Sequence, residues 1–209
     1  MNLLYYFRNT VKTHTAIKYV WDKVNACIAF ILFYLVREGL FGTSDLDLKP
    51  DIDHYKVGFL KPSDIMALAS HPEVEWTAEK ARERLSNGCL CFGFKHKGDV
   101  AAYSWVNINR SESEFISFPL KEHEAFLFDA MTFRAYRGKN IAPCLRYELY
   151  RELEKLGHTD LISITGYFNV NAIKFKKKLK ARPQKLYLRV VLFRKFGFNM
   201  VLRTYRHTP

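Results

Sequence analysis

The sequence contains few of the features that mark a secreted, membrane-spanning or metal-binding protein. Its four cysteines form no disulfide framework and its seven histidines show no metal-ligand spacing. The longest apolar run, residues 26–36, has eleven residues, well short of the ~20 that a transmembrane helix needs. It lies behind Lys12, Lys18 and Lys23, too far into the chain for an ordinary signal peptide. A cytoplasmic protein without a metal is therefore expected.

Acidic residues are scarce in the C-terminal part of the chain. Residues 133–209 contain 18 Lys/Arg and 4 Asp/Glu, whereas residues 51–132 contain 9 and 13. This excess of cations predicts an anionic partner. Coenzyme A, nucleic acid and an anionic membrane surface all fit that description. With 48% hydrophobic and 15% aromatic residues, a chain of 209 residues suits one domain with a substantial core.

A glycine-containing turn between an apolar run and an amphipathic segment is the most informative motif. The run 125–133 is typical of a buried strand, and residues 142–156 carry apolar residues at helical spacing. In the turn, Gly138 lets the backbone approach a ligand closely, and Arg137 and Lys139 add positive charge. A strand, a turn rich in N–H groups and a helix N-terminus form a cradle for anions. We therefore expect a pyrophosphate there.

This turn and the residues after it resemble the GNAT superfamily of acyl-CoA-dependent N-acyltransferases. A second strand, residues 160–165, and a second helix follow in the family's order. The resemblance covers roughly residues 124–179 and implies an α/β domain, with a central mixed sheet whose splayed parallel strands are flanked by helices. The matching residues are Tyr136-Arg137-Gly138-Lys139, Ile141-Ala142, Gly157, Asn169 and Ala172-Ile173.

The resemblance also implies acetyl-CoA as acyl donor and a set of residues that bind it. Backbone N–H groups near Met131, Thr132 and Phe133 would polarise the thioester carbonyl. Asn140 stands where the family typically has glycine, but asparagine tolerates left-handed backbone well enough for the loop to close. The remaining cofactor-binding candidates are Arg137, Gly138, Lys139, Asn140, Ile141, Ala142 and Asn169.

Three residues are candidates for catalysis. Glu124, near the start of the central strand, is the first choice of general base, and Asp129, inside the apolar run, is the second. Lys176 stands where relatives often carry the tyrosine that protonates the departing thiolate, and a lysine there could stabilise a thiolate. Structural roles stay open for all three: an exposed strand end, a hydrogen-bonded acid and a solvated basic face. Ordered water could replace a side-chain base.

Residues 1–50 are predicted to form a helical N-terminal extension, with the GNAT-like domain at residues 51–209. Residues 3–36 show mixed helical periodicity, and residues 44–51 are typical of a linker. We interpret the extension as a helix packed on the core or at a homodimer interface. The alternative is a peripheral membrane contact through residues 1–41, which would place a cytoplasmic protein at a membrane.

The expected activity is transfer of an acetyl group from acetyl-CoA to a primary amine by direct attack. An amino sugar or another small amine fits as acceptor, and a cationic acceptor could be bound by Glu112, Glu114, Glu122 and Glu124. The alternative is a catalytically altered GNAT-like protein whose basic C-terminal half binds RNA or an anionic membrane. Nucleic acid is the less favoured partner, because the cations surround the expected coenzyme A site.

Overall fold

The computed structural model describes residues 28–41, 48–113, 115–193 and 195–206. Within these ranges it contains ten strands and four α-helices. The strands are β1 (Ile28–Glu38), β2 (Tyr55–Phe59), β3 (Leu90–His96), β4 (Asp99–Asn107), β5 (Arg110–Glu112), β6 (Ser117–Pro119), β7 (Glu124–Thr132), β8 (Asp160–Gly166), β9 (Arg182–Leu192) and β10 (Phe196–Thr204). The helices are α1 (Pro62–Leu68), α2 (Ala78–Ser86), α3 (Ile141–Lys155) and α4 (Val170–Lys178).

The main sheet has the strand order β10-β9-β1-β8-β7-β4-β3-β2, and β5 and β6 form a separate pair. Only β7 and β8 pair in parallel; the other pairs in the described residues are antiparallel. Side chains alternate between the two faces of a strand. One face packs on α3 through Leu145, Leu149 and Leu153, and the other packs on α1 and α2. The expected mixed sheet flanked by helices is confirmed.

Strand β1 corrects the prediction of a helical N-terminal extension. Residues 28–38 form a strand between β8 and β9 in the main sheet. The helix was predicted because a short apolar run has no periodicity that separates a buried helix from a buried strand. The run is rich in β-branched and aromatic residues, and a strand with neighbours on both sides favours them. Residues 1–27 and 42–47 of the predicted extension lie outside the described residues.

Strands β7 and β8 separate after a short paired stretch. Pairing joins residues 124–127 to residues 160–163, and both strands then continue without partners in each other. In the same region β7 has a bulge against β4: Tyr103 faces Met131 and Trp105 faces Phe128, so Ser104 alone faces two residues. One of these, Asp129, has a left-handed backbone with φ 45°. The bulge bends β7 where it leaves β8.

The central position of β1 predicts a large difference between two phenylalanines on that strand. Phe33 is 0% exposed and its ring stacks between Phe115 and Tyr187, whereas Phe30 is 69% exposed. Phe33→Ala should therefore lower the free energy of unfolding by about 3–5 kcal/mol. Phe30→Ala, the control, should change it by less than about 0.5 kcal/mol. Urea denaturation followed by circular dichroism measures both, and similar small effects would contradict a β1 buried in the sheet.

Candidate active site

A cleft of about 900 Å³ lies at the C-terminal end of β7. The end of this strand, the turn after it, the first turns of α3 and one side of α4 form its walls. Phe133 and Lys139 are the predicted cofactor-binding residues that do not line it. Eight of the ten predicted residues do: Met131, Thr132, Arg137, Gly138, Asn140, Ile141, Ala142 and Asn169.

The turn before α3 closes through two residues with left-handed backbone. Gly138 has φ 79° and Asn140 has φ 56°. The side chain of Asn140 also joins three segments, because its Nδ2 donates to the Lys49 carbonyl at 2.8 Å and its Oδ1 accepts from Lys178 Nζ at 2.8 Å. Asn140 therefore takes the left-handed backbone that asparagine was expected to tolerate here.

The first turn of α3 presents backbone donors to the cleft. Asn140 is the N-cap, so the N–H groups of Ile141 and Ala142 have no acceptor within the helix, and Pro143 has no N–H. Lys178 adds a cation from α4 on the opposite wall. The partial positive charge of a helix N-terminus and a nearby ammonium together favour an anion here.

Two other cations of the turn have partners of their own. Arg137 donates from Nε to the Thr132 carbonyl at 3.0 Å, and its Nη2 lies 3.8 Å from the Glu73 carboxylate. The ammonium of Lys139 lies over the Tyr136 ring, 5.4 Å from its centroid. These contacts shape the turn. The backbone donors of α3 and Lys178, which Asn140 holds at 2.8 Å, are the remaining candidates for binding an anion.

The last residues of β7 differ in where their N–H groups point. Phe133 donates its N–H to the Ala101 carbonyl at 3.1 Å, so that donor is already used. Alternate residues of an antiparallel pair bond to the partner strand. Thr132 therefore directs its N–H away from β4, into the gap between β7 and β8. Of the three donors predicted to polarise a carbonyl, Thr132 is the one that this geometry favours.

A buried polar cluster lies beneath α3 and α4. Its centre is Glu38 on β1, which is 0% exposed. The carboxylate accepts from the Tyr150 hydroxyl at 2.5 Å and from the Ser163 hydroxyl, and lies 2.9 Å from Lys176 Nζ. Arg146 Nε lies 3.6 Å from the same carboxylate.

The cluster shifts the pKa of both charged partners at its centre. Burial alone would raise the pKa of Glu38. The Lys176 ammonium, the Arg146 guanidinium and the two hydroxyl hydrogen bonds together outweigh burial and lower that pKa to about 2. For Lys176 burial is the largest effect and lowers its pKa, although Glu38 opposes the shift. Glu38 is therefore ionised at neutral pH.

No family model and no curated protein sequence matches this chain. Solved structures of GNAT proteins do match its fold. One from Novosphingobium aromaticivorans is 17% identical with a TM-score of 0.52, over 78% of this chain and 64% of that one. A GNAT-family acetyltransferase from Colwellia psychrerythraea is 16% identical with a TM-score of 0.55, over 82% and 57%. A GCN5-related N-acetyltransferase-like protein from Streptococcus suis is 15% identical with a TM-score of 0.52, over 84% and 66%.

The chain has the GNAT fold. It spans 57 to 66% of the length of these three structures. The cleft described above lies where β7 and β8 separate, between α3 and α4.

Neither predicted base, Glu124 or Asp129, lines the cleft. Glu124 lies at the opposite end of β7 from Met131, roughly 20 Å away at about 3.3 Å per strand residue. It accepts the Lys121 N–H at 2.9 Å in a local turn. Asp129 pairs with Arg84 at 2.6 Å, beneath three aromatic rings that the guanidinium contacts. The contacts of both residues therefore fit the structural roles that the sequence left open: Glu124 lies at a strand end and Asp129 is a paired acid.

Lys176 matches neither reading that the sequence left open. It is 6% exposed and so is not part of a solvated basic face. It also does not line the cleft, because its ammonium donates to the hydroxyls of Ser163 and Thr165 at 2.6 and 2.5 Å, beneath α4. A direct role in the chemistry therefore has no support from its position.

Two buried residues that line the cleft were not predicted from the sequence. The side chains of Ser104 and Arg146 line it and are 1% and 4% exposed. Ser104 Oγ and Arg146 Nη1 have no hydrogen-bond partner among the described residues. An arginine at an otherwise apolar position of α3, next to Leu145, was the available signal. No pattern in the sequence indicated Ser104, because its position opposite the bulge depends on how β4 pairs with β7.

Several other expectations concern surfaces. Helices α1 to α4 are too short or too polar to cross a bilayer. Glu122 precedes Glu124 at the far end of β7, away from the cleft; Glu114 and the side chain of Glu112 lie outside the described residues.

His123, Glu124 and Asp160 have ligand atoms within 4.8 Å of one another, but Asp160 pairs with Arg37 at 2.5 Å.

The thiol of Cys144 is buried in the first turns of α3. Burial raises its pKa to about 11, so it is protonated at neutral pH. A buried, protonated thiol is a poor nucleophile.

Ionisation of Glu38 should make the protein sensitive to acid. Because its folded pKa of about 2 lies below the ordinary value of 4.5, its contribution is complete above about pH 4.5 and is lost as pH falls toward 2. Glu38→Gln should cost about 3–5 kcal/mol of unfolding free energy at pH 7, since it leaves buried cations unpaired. It should also flatten the pH dependence in that window.

The control for this prediction is Glu152→Gln, on the exposed side of α3, where a pair with Lys155 is worth at most about 1 kcal/mol. Urea unfolding between pH 2 and 7 measures both variants. Equal acid sensitivity of wild type and Glu38→Gln would show that this carboxylate does not control it.

Proposed function

We propose that this protein is an acyl-CoA-dependent N-acetyltransferase that transfers an acetyl group to a primary amine. One observation carries the proposal. The cleft is lined both by the start of α3 with Lys178, which suits an anion, and by two buried donors, on Ser104 and Arg146, that have no partner among the described residues. A diphosphate followed by a long polar arm has this distribution of acceptors. The GNAT fold supports the same assignment.

The residues at the mouth of the cleft would hold the diphosphate. Ile141 and Ala142 offer backbone N–H groups, and Lys178 offers an ammonium that Asn140 holds in place. Charge-assisted hydrogen bonds to phosphate oxygens are stronger than neutral ones. Gly138 leaves the approach open, since no atom lies within 4 Å of where a Cβ would be.

The residues deeper in the cleft would orient the acyl group. Bound acetyl-CoA would supply an activated acetyl thioester. Thr132 would direct its N–H toward the thioester carbonyl, since this N–H faces the gap between β7 and β8. A backbone donor fixed in this way stabilises negative charge that develops on oxygen. Deprotonation of the amine would go through water, because Glu124 and Asp129 do not reach the cleft.

The acceptor part of the proposal is a small primary amine. Amino sugars and simple amines are the first compounds to test, as expected from the sequence. Mass spectrometry of the products after incubation with acetyl-CoA identifies an accepted amine directly.

Binding of acetyl-CoA tests the cradle before any acceptor is known. Gly138→Asp places a carboxylate beside the proposed diphosphate and should weaken binding by about tenfold or more, the factor that 1.4 kcal/mol of repulsion produces. Gly157→Asp is the matched control, because Gly157 also has a left-handed backbone and open space around it but lies beyond the C-terminal end of α3. Calorimetric titration measures both.

If the Gly138→Asp variant bound acetyl-CoA as tightly as wild type does, the proposed anion cradle would be wrong. Loss of binding in both variants would point to general destabilisation, and thermal unfolding of the two proteins separates that case. A folded wild type that does not bind acetyl-CoA would overturn the proposed function.

A further inference from the structure

The buried cluster around Glu38 carries more positive than negative charge. Glu38, Arg146 and Lys176 are 0%, 4% and 6% exposed, so one carboxylate faces two cationic side chains in the interior. Buried charges are stable in proteins when they are paired and hydrogen-bonded. The cluster therefore has one positive charge for which the described residues offer no equal partner.

Lys176 is the better neutralised of the two cations. Its ammonium lies 2.9 Å from the Glu38 carboxylate and donates to two hydroxyls, on Ser163 and Thr165. All three of its N–H donors therefore have acceptors.

Arg146 is the poorly neutralised cation. Its Nε lies 3.6 Å from Glu38, beyond ordinary hydrogen-bond length, and the nearer carboxylate oxygen already accepts from Tyr150 at 2.5 Å. Its Nη1 has no partner among the described residues although it is buried. The guanidinium also lies over the Phe175 ring, 5.9 Å from the centroid, which limits how far it can turn.

The unpartnered group belongs to the cleft. Arg146 and Phe175 both line it, as does Ser104. Arg146 lies five residues after Ile141 on α3, so its Cα is about 7.5 Å further along the helix axis than the start of the anion cradle. A ligand that extends inward from the cradle would meet this guanidinium.

We propose that Arg146 binds the sulfur of coenzyme A as it becomes a thiolate, and that Glu38 is the positioning residue that aims the guanidinium at it. This inference rests on the proposed function. During transfer the amine nitrogen bonds to the acyl carbon, the carbon–sulfur bond breaks, and the electron pair of that bond stays on sulfur. The proton that the nitrogen loses goes to water.

Arg146 contributes charge and a hydrogen bond rather than a proton, because a guanidinium does not deprotonate in proteins. A negative sulfur beside it would balance the second cation of the cluster. In a water-poor site such a fixed cation stabilises developing negative charge far more than it would in water. Arg146 would therefore do what the sequence assigned to Lys176.

The test compares coenzyme A with desulfo-coenzyme A, in which hydrogen replaces the thiol group. If Arg146 favours the thiolate, wild-type affinity for coenzyme A should rise between pH 6 and 9 relative to the desulfo compound. A drop of one unit in the pKa of the bound thiol corresponds to about tenfold in affinity. Calorimetric titration at several pH values measures this without any acceptor.

Arg146→Gln should abolish the pH-dependent advantage of coenzyme A over desulfo-coenzyme A. The desulfo compound has no group to ionise, so it is the reference for any change in the other contacts. Arg151→Gln is the matched control, an arginine of α3 whose side chain is 50% exposed and paired with Glu148, and it should keep the advantage. Arg146→Lys, which retains a cation in case the glutamine variant does not fold, should keep part of it.

Two outcomes would overturn the inference. Equal binding of coenzyme A and desulfo-coenzyme A by wild type at every pH would show that no thiolate is favoured. A pH-dependent advantage that persists in folded Arg146→Gln would show that another group favours it. If neither compound binds to folded wild type, the proposed function itself fails, which separates the two cases.

Discussion

The buried carboxylate of Glu38 is the interaction on which the arrangement around the cleft depends. It belongs to β1, and its partners belong to α3, β8 and α4. Helices α3 and α4 form two of the walls of the cleft, and Glu38 contacts side chains of both helices. Buried ion pairs contribute less stability than their Coulomb attraction suggests, because both ions lose water. Lys176 is held in this cluster at 2.9 Å from the carboxylate, whereas Arg146 lies 3.6 Å from it.

A second constraint acts from the other side of the cleft. The bulge at Asp129 turns the end of β7 away from β8, and the Arg84–Asp129 pair lies at that bulge. The two strands therefore separate where the cleft begins, and the Thr132 N–H faces the gap. Ser104 faces two residues of β7 at this bulge, and its buried hydroxyl has no partner among the described residues. The bulge in β7 and the separation of β7 from β8 therefore occur together, at the place where the cleft begins.

Local patterns in the sequence predicted the elements that hold the proposed cofactor site. The apolar run of β7, the turn at Gly138 and the periodicity of α3 are each encoded within a few residues, and all three appear where expected. The second helix was predicted on the same basis, and Asn169 caps its start: its Oδ1 accepts from the Ala172 N–H at 3.0 Å. Eight predicted cofactor residues therefore lie together in one cleft.

Features that depend on distant residues were not predictable in this way. The run 28–38 is compatible with a helix until β8 and β9 supply partners on both sides of it. Lys176 looks like part of a solvated lysine run, because its partner Glu38 is more than a hundred residues away. Arg146 lies at an otherwise apolar position of α3, which indicates burial, but its partner Glu38 is also more than a hundred residues away. Glu124 was predicted as the general base because it lies on β7. The two ends of this strand are far apart, and the cleft lies at the other end.

The most direct measurement is a crystal structure of the protein with coenzyme A bound. The diphosphate should accept hydrogen bonds from the N–H groups of Ile141 and Ala142 and contact Lys178, and the sulfur should lie against Arg146 Nη1. A diphosphate bound elsewhere on the basic C-terminal half would contradict the proposed active site. A diphosphate in the cradle with the sulfur away from Arg146 would leave the cofactor site intact and remove the role proposed for this arginine.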